Sequence, residues 1–296
     1  MRKIDFFRFF SLANIMILLL LLLVITIVMY YSLPIFTGEF LVRVLLTSAW
    51  DPNREIYGIL FALGGTLVVA FIAIIISGVL SISTAFFIVE IAPYKLRPLL
   101  ETIVDLGAVI PSVIYGLWGL LFLAPILRDY VMRPLTEYFP WLKDFLGTYS
   151  PSGVSLLTAG ILLGVMIYPF ATSIIRESIK LIPFSIKEAL YSLGLNKWEV
   201  IIQEIRFITR SILAALMIAF GRAVGETVAV AMVVGNVPNP LFYMIFRPGY
   251  TISSLIANQF LNATQTMLPV LYFSALILVL LGFAINLSVM LLIRQR

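Results

Sequence analysis

Long apolar stretches separated by polar ones run through most of the chain. A helix needs about 20 apolar residues to cross the hydrocarbon core of a bilayer. Pro111 lies within the third such stretch, close to two glycines, and predicts a kink there. The pattern predicts six transmembrane helices, at Leu12–Val28, Gly58–Val89, Leu99–Ile126, Val154–Ile175, Ile208–Val234 and Leu268–Ile293.

The composition agrees with this pattern. Of the 296 residues, 61% are hydrophobic and only 12% are charged, which is unlike a soluble globular protein. We therefore predict an all-α polytopic membrane protein. The net charge of +5 does not indicate nucleic-acid binding, because the basic residues lie beside the apolar stretches and not in one patch.

The residue types exclude several kinds of chemistry. The sequence has no Cys and no His, which excludes disulfides, thiolate catalysis, His-based metal sites and His general bases. It also lacks a glycine-rich phosphate loop ending in Gly-Lys-Ser/Thr, so we see no nucleotide site. We predict no catalytic residue, no metal ligand and no cofactor in this chain.

The N-terminal stretch has two readings. Basic residues precede its apolar run, as in a signal peptide, but residues 30–34 lack the small-residue pattern of a cleavage site. We interpret it as an uncleaved first helix. Six spans put both termini on one side, and that side carries about twice as many Lys and Arg as the other, which predicts cytoplasmic termini.

The connections between the apolar stretches also differ in character. The segments 35–57, 127–153 and 235–267 are predicted to face outward. Each is too long for a simple turn, so we expect short helices or partner contacts in them. The segment 177–207 is predicted to face the cytoplasm and to be helical.

The segment Gly221–Thr227 places Arg222 and Glu226 inside an apolar run. An ionisable residue at membrane depth costs about 2.5 kcal/mol or more and is a functional-site hypothesis by default. On a continuous helix the two residues, four apart, would share one face. The planar guanidinium of Arg suits an oxyanion. The alternative is a self-neutralising pair that only lowers the cost of insertion.

The segment 177–207 contains a second motif. Apolar residues recur at helical spacing up to Leu193, and Gly194 is predicted to end that helix at its C′ position. A second helix is predicted through Trp198. We call these two short helices the knob. Such a knob suits docking into a groove on a cytoplasmic partner, although an ordinary solvated amphipathic loop is the alternative.

Several motifs, in order along the chain, resemble a known family. Glu188-Ala189 followed by Gly194 resembles the EAA loop of ABC importer permeases, except that Arg206-Phe207 replaces the usual apolar-Pro pair. IPSVIYGLWG at residues 110–119 and GRAVGETVAVAM at residues 221–232 resemble the C-type permease subunit of the phosphate-specific ABC importer. Residues 50–58 and 90–97 also resemble this subunit, and the likeness covers about residue 50 to the C-terminus.

The resemblance implies a type I ABC importer permease fold. Residues 1–57 would form the first transmembrane helix and an outer loop. Residues 58–296 would form the permease core of five helices, with a coupling loop at 177–207. The implied function is that of the permease subunit of an ATP-driven importer of inorganic phosphate in the cytoplasmic membrane. Implied partners are a homologous A-type permease, two copies of an ABC ATPase that bind ATP and Mg, an extracytoplasmic phosphate-binding protein and the lipid bilayer.

The resemblance also implies residue roles. The substrate pathway would involve Arg222, Glu226 and Thr227. The turn that docks on the ATPase would contain Glu188, Ala189 and Gly194. Kinking and close helix packing would involve Pro111, Gly116 and Gly119.

Several alternatives stay open at this level. Arg222 and Glu226 could contact phosphate directly, gate its pathway or form a structural pair. The substrate could be another oxyanion, such as sulfate or molybdate. A secondary transporter or channel would need no ATPase and no docking knob. An intramembrane enzyme would need a convergent set of Ser, Thr, Lys or carboxylate groups, which we do not see.

Overall fold

The structure is a computed structural model that describes residues 3–294, with side chains described for residues 11–12 and 14–291. The chain ends, predicted to be cytoplasmic, lie outside the described residues. The first half contains α1 (Lys3–Ser32), α2 (Gly38–Leu46), α3 (Leu60–Phe86), α4 (Arg97–Val109), α5 (Ser112–Trp118), α6 (Ala124–Leu127), α7 (Arg133–Tyr138) and α8 (Leu142–Leu146). The second half contains α9 (Leu156–Lys180), α10 (Phe184–Ser192), α11 (Lys197–Phe207), α12 (Thr209–Gly225), α13 (Val228–Val233), α14 (Ile252–Gln259) and α15 (Met267–Arg294).

The described residues contain five helical segments that are long and apolar enough to cross a membrane, or six if the bent pair α11 and α12 counts as one. The upper count equals the predicted six, but it joins α11 to α12, whereas the prediction placed α11 in the loop before the fifth span. Several of these segments combine more than one helical element. The five are Asn14–Phe36, Leu60–Ile91, Ser112–Tyr138, Leu156–Lys180 and Met267–Leu291.

The third span differs from its prediction. Leu99–Ile126 is not one helix, because the chain is non-helical at Ile110 and Pro111, with ψ values of 128° and 138°. A proline disfavours helical backbone at the residue before it, so α4 ends there and α5 begins a new helix. Pro111 thus separates two helices and does not merely kink one. The spanning segment is Ser112–Tyr138, and α4 packs instead against α9.

The core lies between α3, α9 and α12. α3 and α9 run against each other over much of their length. Glycines allow their close approach, since a Cβ at Gly160 would meet Ile72 at 2.6 Å and one at Gly164 would meet Ile76 at 2.9 Å. α15 packs on α12, and α1 packs on α15 at the edge of the molecule.

The segments predicted to face outward contain short helices, as expected. The first contains α2 and a two-stranded antiparallel hairpin, β1 (Trp50–Asp51) and β2 (Ile56–Tyr57). The second contains α8, and the third contains α14. The residues Ile252, Ser254 and Leu255 of α14 are buried, so this helix is part of the packed molecule and not a surface excursion.

Candidate functional site

The apolar run Ile208–Val234 is interrupted, contrary to the prediction of one helix. α12 ends at Gly225, and Glu226 has extended backbone with φ −69° and ψ 128°. Glycine lowers helix propensity at this point. The Glu226 carbonyl accepts a hydrogen bond from Ser253 Oγ at 2.7 Å, and the Glu226 carboxylate accepts one from the Ala229 N–H at 3.4 Å. These bonds satisfy groups that a continuous helix would have paired.

This break separates Arg222 from Glu226. A shared face at a spacing of four requires a continuous helix, so the predicted alignment of the two side chains is wrong. Among the described residues no ion pair joins them. The Arg222 guanidinium lies instead over the ring of Phe170, with 5.5 Å to the ring centroid. This distance is within the range of a cation–π interaction.

Arg222 lies between helices α5 and α9. Phe170 on α9 follows Pro169, and Tyr115 on α5 is close enough to interact electrostatically with Arg222. The Tyr115 hydroxyl donates to the Gly107 carbonyl at 2.9 Å, across the break at Pro111. The two interrupted helical stretches, α4–α5 and α12–α13, therefore meet the same group of side chains.

The face that carries Arg222 is not covered within the chain. Arg222 is exposed, and so are the apolar residues of α5, the helix that contains Tyr115. A cation facing lipid at membrane depth would be costly. This surface therefore requires cover from another protein or from a water-filled passage. The exposed apolar residues of α5 are Val113, Ile114, Leu117 and Trp118.

Thr227, the third predicted pathway residue, lies in the break itself. Its hydroxyl donates to the Gly225 carbonyl at 3.3 Å, and its carbonyl accepts from the Ala231 N–H at 2.9 Å. The hydroxyl therefore bonds local backbone, as is usual for Thr near helix ends.

The predicted packing residues lie where helices approach closely. A Cβ at Gly116 would lie 2.5 Å from Met232 Sδ, and one at Gly119 would lie 2.7 Å from Leu162 Cδ2. Gly116 thus allows α5 to approach α13, and Gly119 continues this contact towards α9. Together the two glycines let α13, the helix that follows the break at Glu226, pack against α5.

The knob forms as predicted from two helices joined at Gly194. Gly194 has φ +81°, and the Leu195 N–H bonds back to the Leu190 carbonyl at 3.4 Å, which makes a Schellman-type end to α10. α11 then begins with a capping box, in which Asn196 and Glu199 exchange hydrogen bonds between side chain and backbone.

The surface of the knob favours docking over a solvated loop. Glu188, Ala189 and Gly194 are all exposed. Large apolar side chains beside them are exposed as well, including Leu193 at 77% and Trp198 at 66%. Apolar residues concentrated on a small projecting element are typical of a contact surface. A bend of 64° separates α11 from α12, although Arg206-Phe207 stands where an apolar-Pro pair was expected.

The structure also shows charges, one of them the buried Arg176, whose partners the sequence did not reveal. Asp105 and Glu101 on α4 pair with basic residues at the end of α9. Arg176 Nη2 lies 3.3 Å from Asp105, and Lys180 Nζ lies 3.1 Å from Glu101. Burial opposes ionisation of Asp105, but hydrogen bonds from Ser173 and Arg176 outweigh it and lower the pKa of the carboxyl.

A second charge cluster joins the knob to α3. Lys187 on α10 contacts Glu90, in the π-helical turn Phe87–Ile91 that ends α3, and Glu204 on α11 at 2.7 Å. Burial opposes the charge on Lys187, but the two carboxylates outweigh it and raise the pKa of the ammonium. The one sequence feature that could have predicted this cluster is the position of Glu204 among apolar residues of α11, where a charge needs a partner.

Comparison with known proteins assigns the family. A sequence profile of the family described as binding-protein-dependent transport system inner membrane component matches residues 91–295. This range includes both the break at Glu226 and the knob. The chain belongs to this family.

Individual relatives extend the likeness over almost the whole permease chain. The probable phosphate transport system permease protein PstC of Methanocaldococcus jannaschii is 41% identical over 293 residues, which are 97% of this chain and 92% of that protein. PstC of Xylella fastidiosa is 39% identical over 254 residues, covering 82% and 76%. PstC of Haemophilus influenzae is 36% identical over 261 residues, covering 86% and 80%.

A solved structure supports the type I ABC importer permease fold. The inward-facing MetNI methionine ABC transporter has a chain that matches with a TM-score of 0.51, over 77% of this chain and 93% of that one. The sequence identity is only 18%, so the likeness concerns the fold.

Proposed function

We propose that this chain is the transmembrane permease subunit of an ATP-driven importer that moves inorganic phosphate across the cytoplasmic membrane. The observation that supports it best is Arg222, a cation exposed at a helix break in an apolar surrounding. The relatives named for phosphate transport cover this segment. The permease family supports a membrane-embedded transport subunit within a larger ABC importer.

The chemistry of phosphate suits the residues at the break. Near neutral pH phosphate still carries a proton, so it is both acceptor and donor. Arg222 would bind its oxygens through the guanidinium donors, because no hydrogen bond to a described residue occupies them. Glu226 would accept the phosphate hydroxyl proton. Sulfate has no such proton, and an ionised Glu226 would repel it, which gives a basis for discrimination.

The partners follow from the two uncovered surfaces. The apolar face around Arg222 would be covered by a homologous A-type permease, with the phosphate path between the two. The knob would dock on one of two ABC ATPase subunits through Glu188, Ala189 and Gly194. The ATPase would bind ATP and Mg, and an extracytoplasmic phosphate-binding protein would deliver substrate to the outward loops. Both termini would then lie in the cytoplasm.

The other functions have less support. No relative reported above is named for sulfate or molybdate transport. A secondary transporter or channel would have no use for an exposed apolar knob. For an intramembrane enzyme, no group of three or more acidic or metal-ligating side chains capable of holding a metal occurs among the described residues.

The decisive experiment is uptake by the complete importer in vesicles. We expect phosphate uptake that needs ATP and the binding protein and that excess sulfate does not inhibit. The variant Arg222→Gln should assemble normally, and its rate of phosphate uptake should fall about 100-fold, because the change removes the positive charge and the planar guanidinium donors. Arg222→Lys, which keeps the charge, should retain more uptake than Arg222→Gln. Equal inhibition by sulfate and phosphate would contradict the proposed substrate.

A further inference from the structure

The cluster of Lys187, Glu90 and Glu204 joins three different elements at the base of the knob. Lys187 belongs to α10, Glu204 to α11, and Glu90 to the π-helical turn that ends α3. Side-chain exposure is 18% for Lys187, 14% for Glu90 and 0% for Glu204. These are therefore not surface ion pairs of the weak, solvent-screened kind.

The cluster contains more carboxyl groups than ammonium groups. Two carboxylates lie within ion-pair distance of one ammonium, and both oxygens of Glu204 are buried without a geometrically good hydrogen bond among the described residues. Burial raises the pKa of the Glu204 carboxyl, so this group depends on Lys187 to stay ionised. Removing the ammonium from either carboxylate would leave a buried charge uncompensated, which is far costlier than breaking an exposed pair. The three elements are thus held to move together.

Glu90 connects the cluster to the transmembrane helix α3. α3 packs along α9 and against α12, the helix that carries Arg222. The turn Phe87–Ile91 is π-helical, with the Ala92 N–H bonded to the Phe87 carbonyl at 2.7 Å, and such turns are frequent at functional sites. It places Glu90 at the end of a long rigid helix that leads from the knob into the core of the membrane domain.

We infer that Lys187 is a positioning residue that transmits displacement of the ATPase-docking helix α10 to the transmembrane helix α3, through its contact with Glu90. This inference rests on the proposed function, because it assumes that the ATPase docks on α10. Lys187 lies next to Glu188 but points away from the docking face, into the base of the knob. Glu188 would therefore face the ATPase, and its neighbour Lys187 would pass the movement on to α3.

The test compares ATP hydrolysis with phosphate uptake in the reconstituted importer. Lys187→Met should leave assembly with the ATPase intact but raise the ATP consumed per phosphate transported by about tenfold. Glu90→Leu should do the same, and it leaves the balanced pair Lys187–Glu204, so it should fold even if Lys187→Met does not. The matched control is Lys95→Met, an exposed lysine in the loop that follows Glu90, which should leave the ratio unchanged.

The charge exchange Lys187→Glu with Glu90→Lys, made together with Glu204→Gln so that the carboxylate introduced at position 187 does not face a buried carboxylate, re-forms one ion pair between positions 187 and 90 and should recover most of the coupling. A role limited to folding would lower uptake and hydrolysis in parallel with the amount of complex, leaving the ratio unchanged. An unchanged ratio in Glu90→Leu would overturn the inference. If the unmodified complex did not transport phosphate at all, the proposed function would fail instead, so the two failures are distinguishable.

Discussion

At the scale of single residues, the two charges in the apolar run Ile208–Val234 are arranged differently from what the sequence predicted. The Arg222 guanidinium lies over the Phe170 ring, while the Glu226 carboxylate accepts a hydrogen bond from the Ala229 N–H in the first turn of α13. Each side chain therefore has its own partner. No carboxylate among the described residues forms an ion pair with Arg222, which is what the proposed binding of an anionic substrate requires.

The independence of Arg222 and Glu226 can be measured. We expect the changes in the free energy of unfolding caused by Arg222→Gln and Glu226→Gln to add within about 0.5 kcal/mol in the double variant. Thermal unfolding of the purified permease would show this. The double variant should also lose phosphate uptake. Uptake near the parent level at matched membrane abundance would mean that these residues do not bind substrate.

Ser253 should act on the site through the Glu226 carbonyl. The variant Ser253→Ala removes that hydrogen bond, and we expect it to lower stability by about 1 kcal/mol and to raise the KM for phosphate uptake. Ser254→Ala is the matched control, because the Ser254 hydroxyl bonds only within the start of α14. It should cost similar stability without changing KM. If Ser253→Ala and Ser254→Ala had the same KM, the hydrogen bond from Ser253 to Glu226 would have no role in substrate binding.

At the scale of elements, helix positions depend on a few close contacts. The approach of α5 to α13 requires glycine at position 116. Gly116→Val should lower the free energy of unfolding by about 1–3 kcal/mol, since the added atoms would overlap Met232 and the Ala229 backbone. Gly282→Ala, with open space at its Cβ, should be neutral or stabilising. Thermal unfolding in detergent compares the two.

The turn of the knob depends on backbone conformation and not on space. Nothing lies within 4 Å of a Cβ at Gly194, but its φ of +81° disfavours a β-branched residue. We therefore expect Gly194→Val to uncouple ATP hydrolysis from uptake, whereas Gly194→Asn, which tolerates positive φ, should remain largely active. Ala189→Asp should disturb the docking face directly. Normal transport by Gly194→Val would show that the turn at Gly194 is not needed for docking on the ATPase.

At the scale of the whole molecule, the distribution of basic residues predicts the orientation in the membrane. A reporter fused after Arg296 should be active only as a cytoplasmic reporter. The physical reason is that loops rich in Lys and Arg are retained on the cytoplasmic side. Activity of an externally active reporter at this position would place the knob on the wrong side for an ATPase.

The sequence alone determined the features that depend on composition and local pattern. The number of apolar stretches, the two helices of the knob and the turn at Gly194 all follow from hydrophobicity, periodicity and glycine chemistry. These forces act between residues close in the chain, so a pattern is enough to predict them. The family could be recognised for a related reason, because its motifs are short and continuous.

Only the tertiary structure decided where helices stop and which charges meet. Local pattern favours a continuous helix through Glu226, but Ser253 on a distant element bonds its carbonyl and stabilises the break. The pairs of Lys187 with Glu90 and of Arg176 with Asp105 join residues 97 and 71 positions apart. Such contacts arise when helices pack, and their energy depends on burial, which a sequence pattern does not contain.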